Sequence, residues 1–169
     1  MLNQTATSID SEEVRFQPNA IYCGDCEYIL KQFPERCIDL IYADPPFFSN
    51  RNYEILWNDG YELRSFEDRW RGGLDNYVAW MVGRLRWCNH VLKDTDSIYL
   101  HCDHHASHYL KVEMDKIFGE SNFRNEIIWK RTSAHSGEGR TRRSFGGVHD
   151  TILFYSKSDD YTFSSQFVQ

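Results

Sequence analysis

The stretch Ile38-Asp39-Leu40-Ile41-Tyr42-Ala43, running straight into Asp44-Pro45-Pro46-Phe47, decides how this chain folds. Its first part is β-prone and nearly all apolar, as a strand buried on both faces of a parallel sheet should be. The strand stops where Pro45 and Pro46 fix φ and remove backbone N–H donors, so the ladder cannot continue. In open α/β sheets ligands bind just beyond the carboxyl ends of the strands, and the Asp-Pro-Pro-Phe turn stands at such an end.

Upstream, Ile21-Tyr22-Cys23 is a short strand candidate. Gly24-Asp25 then turns into a helix whose apolar positions Tyr28, Ile29 and Phe33 fit a helical repeat, with Asp25 as its N-cap. Residues 1 to 18 lack periodicity and read as a flexible arm.

Downstream, the segment from Phe47 to Gly73 carries Tyr53, Trp57, Tyr61, Phe66 and Trp70 without a clean period, and reads as a long ordered loop. Loops of that length in a compact domain are usually functional. Leu74, Tyr77, Val78, Met81, Leu85, Cys88 and Leu92 recur at three- and four-residue steps, which predicts a helix of about five turns. Ser97 to Cys102 is the next buried strand. A second helix runs from near Ser107 through Tyr109, Leu110, Met114 and Ile117 to a stop at Gly119. Glu126 to Trp129 and Thr151 to Tyr155 are strands on either side of a basic loop. This alternation predicts an α/β fold: a parallel sheet with helices on both faces, ending in an antiparallel strand pair.

At 169 residues, with 41% hydrophobic and 15% aromatic content, the chain is long enough for one domain with a real core. No run of apolar residues is long enough to span a bilayer, and the polar, acidic start is unlike a signal peptide, so a cytoplasmic protein without membrane contact is expected. The five cysteines form an odd set, which argues against a secreted disulfide framework. Cys23-Gly24-Asp25-Cys26 has the spacing of half a zinc site, and Cys102-Asp103-His104-His105 offers further ligand types, yet small core hydrophobes are the better reading and no metal is expected. The net charge of −6 does not suit a simple polyanion binder. Its distribution matters more: Lys130, Arg131, Arg140, Arg142 and Arg143 face the single acid Glu138 in one segment, and nucleic acid is expected there, with the arginines tracking phosphates.

The chemistry of the turn follows from its residue types. The Asp44 carboxylate and the Pro45 carbonyl are two acceptors on a stiff turn, suited to the two N–H groups of an exocyclic amine. Holding those protons withdraws the nitrogen lone pair from its aromatic ring and leaves it nucleophilic. Phe47 offers a flat face on which an extruded base can stack, at on the order of 1–3 kcal/mol.

An Asp-Pro-Pro-Phe word after an apolar strand is similar to the catalytic motif of DNA amino-methyltransferases acting on adenine N6 or cytosine N4. Tyr22-Cys23-Gly24-Asp25-Cys26 through Phe47 resembles the opening of the β-ordered group of these enzymes. The helix from Tyr77 to Leu92, Asn125 to Arg131, and His149 to Tyr155 resemble its succeeding segments in order, so the likeness spans residues 21 to 163. The resemblance implies a partial Rossmann-like methyltransferase fold, with residues 19–163 as the catalytic half of the domain and 164–169 as a truncated tail. It implies methyl transfer from S-adenosylmethionine to a flipped base in double-stranded DNA. Asp44, Pro45, Pro46 and Phe47 would be catalytic, and Asp25, Cys26 and Asp44 would lie at the cofactor. Phe47 departs from the commoner Tyr but keeps the stacking face, and Asp at position 44 leans towards adenine.

The family's Gly-rich methionine-binding loop follows the DNA-reading region in the β order, and the chain stops before it. Phe145-Gly146-Gly147 lies before a strand rather than between a strand and a helix, and is rejected as that loop. A C-terminal segment or a second chain is therefore expected to supply it. The rival reading is an inactive nucleic-acid-binding or complementing module, and a metal-binding module comes third. His101, His104, His105 and His108 are read as packing and polar residues, since a polarised amine needs no strong imidazole base.

Overall fold

The computed structural model describes residues 7–8, 15–49, 52–56, 63–67, 70, 72–131 and 147–165. Asp25 starts the first helix, α1 (Cys26–Leu30), as expected: its side chain accepts from the Glu27 N–H at 2.9 Å, satisfying one of the free donors of the first turn. The strand before it, β2 (Tyr22–Cys23), stands apart from the main sheet and pairs in parallel with β1 (Thr7–Ser8). The end of the expected arm is tied down, because Phe16 packs edge-on against Phe33 at 5.0 Å and the Gln17 N–H donates to the Tyr22 hydroxyl at 2.6 Å.

The decisive strand forms as β3 (Ile38–Ala43). The segment expected as a long ordered loop contains an antiparallel hairpin, β4 (Asn52–Leu56) with β5 (Leu63–Glu67). Next come α2 (Gly73–Val91) and β6 (Leu92–Cys102), a strand that starts five residues earlier than its apolar core at Ser97 suggested. Helix α3 (Ser107–Phe118) ends at Gly119, whose φ of 93° is open to glycine at little steric cost. A single 3₁₀ turn at Glu120–Asn122 leads into β7 (Phe123–Lys130), and β8 (His149–Ser156) closes the domain.

The main sheet has the order β3-β6-β8-β7. β3 and β6 are parallel, while β8 runs antiparallel to both of its neighbours. The expected antiparallel pair is therefore present, but its second strand inserts beside β6. This gives β8 two partners, and all of its residues after His149 are buried.

The core explains the choice of helix faces. Tyr77, Met81, Leu85 and Cys88 of α2 and Leu110, Met114 and Phe118 of α3 pack with Ile98, Leu100 and Cys102 of β6 and Leu153 and Tyr155 of β8. Every second residue of each strand faces one side of the sheet, so these helices cover one face. On the opposite face Leu40 and Tyr42 of β3 remain 60% and 56% exposed, and a second helical layer is not found among the described residues. No helix of the described residues is long and apolar enough to cross a membrane.

Candidate active site

The register of the sheet assembles the site. Parallel pairing sets Ala43 beside Leu100, so the next residues, Asp44 and His101, meet where β3 ends. On the other side β6 pairs His101 with Ile152 and Cys102 with Thr151 of β8, which brings Asp150 to the same sheet end. His101 Nδ1 lies 3.2 Å from Asp44 Oδ1 and 3.2 Å from the Tyr42 hydroxyl, and its Nε2 lies 3.5 Å from Asp150 Oδ2. The Phe47 ring stands edge-on to the same imidazole, with centroids 4.9 Å apart.

The turn is held from the helical side. The Tyr77 hydroxyl on α2 donates to the Pro46 carbonyl at 2.7 Å. Phe48 has φ 61°, a conformation that costs a bulky residue on the order of 1–3 kcal/mol, and its ring packs tilted against Tyr77 at 5.5 Å. Phe47 and Phe48 thereby serve different masters, one facing His101 and one joining the core. Among the described residues no donor is paired with the Pro45 carbonyl or with Asp44 Oδ2. The Asp44 side chain is 61% exposed, which leaves its carboxylate open to an incoming N–H.

The Asp25 turn hangs from the same helix. Arg84 lies flat over Trp80 at 3.6 Å and donates to Asp25 Oδ2 at 2.6 Å, with Glu27 at 3.4 Å. Arg84 and Tyr77 are two helical turns apart, about 10 Å along α2, which sets the spacing of the anchors for the Asp25 turn and the Asp44 turn. The Cys26 thiol is pushed up by burial of its sulfur, with Asp25 adding to the rise and Arg84 opposing it. Burial, and then the Asp44 and Asp150 carboxylates, push up the Tyr42 phenol, which keeps it a hydroxyl beside His101.

Of the basic residues expected at nucleic acid, Lys130 and Arg131 are exposed at the end of β7. Arg131 lies 3.1 Å from Asp150 Oδ1, an ion pair with a carboxylate that is itself buried. Arg140, Arg142 and Arg143 lie outside the described residues. Asp103, His104 and His105 gather their ligand atoms within 4.8 Å of one another, but Asp103 also accepts the His105 N–H at 2.9 Å and shapes the turn into α3. Cys23 and Cys26 do not join that group among the described residues.

The sequence marks Tyr77 only as an apolar helix position and His101 only as a packing or polar residue, whereas the structure brings both to the Asp44 turn. The signal for His101 was present in the pairing logic: two consecutive parallel strands that both end in a site place the residues after Ala43 and Leu100 side by side.

Known proteins share the family and the fold of this chain. A family model described as DNA methylase matches residues 38–169, from the start of β3 onward. The Type II methyltransferase M.KpnI of Klebsiella pneumoniae is 34% identical over 88% of this chain, and the alignment covers 34% of that protein. The Type II methyltransferase M.HinfI of Haemophilus influenzae is 31% identical over 86% of this chain and 41% of its own length. The chain thus spans between about a third and two fifths of these relatives. Among solved structures, the PvuII DNA methyltransferase (cytosine-N4-specific) shares the fold with a TM-score of 0.58 at 19% identity, over 84% of this chain and 50% of that one. With the Asp44 turn at the end of β3 and a family match that covers it, the chain belongs to the DNA methylase family.

Proposed function

We propose that this chain carries the catalytic part of a DNA amino-methyltransferase that methylates the exocyclic amine of a flipped base, adenine N6 in preference to cytosine N4. The observation that carries the reading is the Asp44 carboxylate. One of its oxygens lies 3.2 Å from His101, the other has no donor among the described residues, the Pro45 carbonyl follows it on the same turn, and the Phe47 ring stands edge-on to the same imidazole.

S-adenosylmethionine, when bound, supplies an electrophilic methyl group. Asp44 and the Pro45 carbonyl accept the two amine N–H groups and turn the lone pair outward. As the nitrogen takes the methyl, whose bond to sulfur would break to leave a neutral thioether, it gains positive charge that the nearby carboxylate stabilises more than it stabilises the neutral amine, and one of the two amine protons is then released to give the neutral product. Phe47 holds the flipped base by stacking. The Asp25 carboxylate fits the polar edge of an adenosine: its side chain is 54% exposed, and the Glu27 N–H and Arg84 use only part of its accepting capacity. Cys26 adjoins it.

Double-stranded DNA is the substrate in this reading, with Lys130, Arg140, Arg142 and Arg143 on its phosphates and Arg131 shared with Asp150. A further segment or second chain supplies the Gly-rich cofactor loop. The exposed Leu40 and Tyr42 on the face opposite the helices support an unfilled layer there. A cytoplasmic location fits both a DNA substrate and the free state of all five cysteines.

The test is to incubate the protein carrying this chain with unmethylated duplex DNA and S-adenosylmethionine, digest to nucleosides and identify the product by mass spectrometry. N6-methyladenine is expected. N4-methylcytosine would overturn the base preference, and no methylated nucleoside would overturn the function.

A further inference from the structure

We propose that His101 is a positioning residue of the site, a bridge that fixes the Asp44 carboxylate and the Phe47 ring against the buried Asp150. This rests on the reading of Asp44 as the group that holds the target amine.

Three observations converge on the one imidazole. First, both ring nitrogens face carboxylates, Nδ1 at 3.2 Å from Asp44 and Nε2 at 3.5 Å from Asp150. Second, Phe47 packs edge-on to the ring, so one side chain sets both the acceptor and the stacking surface. Third, Nε2 is buried and makes no hydrogen bond among the described residues, so its 3.5 Å approach to Asp150, itself 4% exposed, is a charge contact open to tightening. A buried carboxylate needs nearby positive charge to be tolerated, and among the described residues the ion-pair contacts of Asp150 are His101 at 3.5 Å and Arg131 at 3.1 Å, with no hydrogen bond to Oδ1. The chain of contacts Arg131, Asp150, His101, Asp44 therefore runs from the foot of the basic segment to the exposed catalytic carboxylate.

The consequence is mechanical. Asp44 is mostly exposed, and a free aspartate on a turn would sample several rotamers. His101 Nδ1 hydrogen-bonds the Tyr42 hydroxyl and lies 3.2 Å from Asp44 Oδ1, so its charge contact biases Oδ1 towards the imidazole and leaves Oδ2 to meet the amine. Losing that contact misplaces the acceptor, and displacements of about 1 Å at a reacting group cost on the order of 100-fold in rate.

Asparagine and glutamine separate this role from a packing role. The Asn amide nitrogen occupies the place of Nδ1 and reaches Asp44, whereas the Gln amide occupies the place of Nε2 and reaches Asp150. In the full protein that carries this chain, His101→Ala is expected to lower kcat for methyl transfer on the order of 100-fold, with KM for DNA within about threefold of the original. His101→Asn should recover most of the loss, and His101→Gln should not, although Gln should preserve thermal stability better. Nitrogen-15 spectra of the imidazole should show the His101 Nδ1 signal moving in Asp44→Asn. A kcat for His101→Ala within about threefold of the original, or equal rescue by Asn and Gln, would overturn the proposal. The imidazole spectrum needs no turnover, so a moving Nδ1 signal in a protein that never methylates DNA would uphold the bridge and count only against the proposed reaction. A signal indifferent to Asp44→Asn would remove the bridge itself.

Discussion

Tyr77, a side chain with no exposed surface on α2, donates its hydroxyl to the Pro46 carbonyl at 2.7 Å and so ties the core directly to the Asp44 turn. The prolines make the turn stiff, and this bond makes it stationary. Tyr77→Phe is expected to cost about 1 kcal/mol of stability, the usual net value of one hydrogen bond, and to slow methyl transfer by more than that loss alone predicts. Thermal unfolding beside single-turnover kinetics checks it. A variant with full stability loss and unchanged transfer would show the bond to be merely structural.

The Arg84 cluster offers a second test. Its guanidinium stacks on Trp80 and forks to Asp25 and Glu27, a geometry that the point charge of lysine does not reproduce. Arg84→Lys should cost about 1–3 kcal/mol in chemical denaturation and weaken S-adenosylmethionine binding with little effect on DNA binding. Weakened DNA binding with unchanged cofactor affinity would put Asp25 elsewhere than at the adenosine.

A pH dependence follows from Asp115. Burial raises its carboxyl, but hydrogen bonds from Lys111 and Tyr155, with the Lys111 charge, outweigh that and leave it below the ordinary aspartate range. Tyr155 is pushed up in turn by burial and by the 2.6 Å bond it donates to Asp115. A depressed folded-state pKa gives stability that is fully present above the unfolded value, near pH 4, and lost as the pH falls through the folded value. The difference in melting temperature between the original protein and Asp115→Asn should therefore be largest near neutrality and shrink below about pH 4. A constant gap from neutral to acid pH would contradict this origin.

Thiol chemistry provides a map of the core. Burial pushes Cys88 and Cys102 up to about 12, where almost no thiolate exists at neutral pH, while Cys23 is exposed. Alkylation of the native protein followed by peptide mapping should modify Cys23 first and spare Cys88 and Cys102 until unfolding. Early labelling of Cys88 would mean that α2 does not pack as described.

Much of this was readable in advance, because the elements that bury one face repeat their apolar residues at the period of the element. The spacing of Tyr77, Met81, Leu85 and Cys88 marks α2, and the apolar run Ile38–Ala43 marks β3. The β4–β5 hairpin went unread although Asp59-Gly60 between Asn52–Leu56 and Leu63–Glu67 is a turn signal, because the connection is longer than a tight two-residue turn and Leu63–Glu67 does not alternate strictly. The early start of β6 was masked by Lys93, Asp94, Thr95 and Asp96, a polar stretch that reads as a turn but is drawn into the strand, with β3 pairing again at Leu92. The position of Asp44 and Phe47 at a strand end was legible, because the Pro45-Pro46 pair that stops β3 stands between them. His101 needed the register, because nothing in its own neighbourhood says which strand end it faces.

The central claim is that the Asp44 carboxylate holds the amine that receives the methyl group. The most direct measurement is transfer of labelled methyl from S-adenosylmethionine to duplex DNA by the full protein carrying this chain, compared with Asp44→Asn, which keeps the size of the side chain and removes its charge. The variant should still bind cofactor and DNA while losing on the order of 100-fold or more in kcat, the scale on which one electrostatic contact to a transition state acts. Undiminished transfer by Asp44→Asn would place the chemistry elsewhere in the molecule.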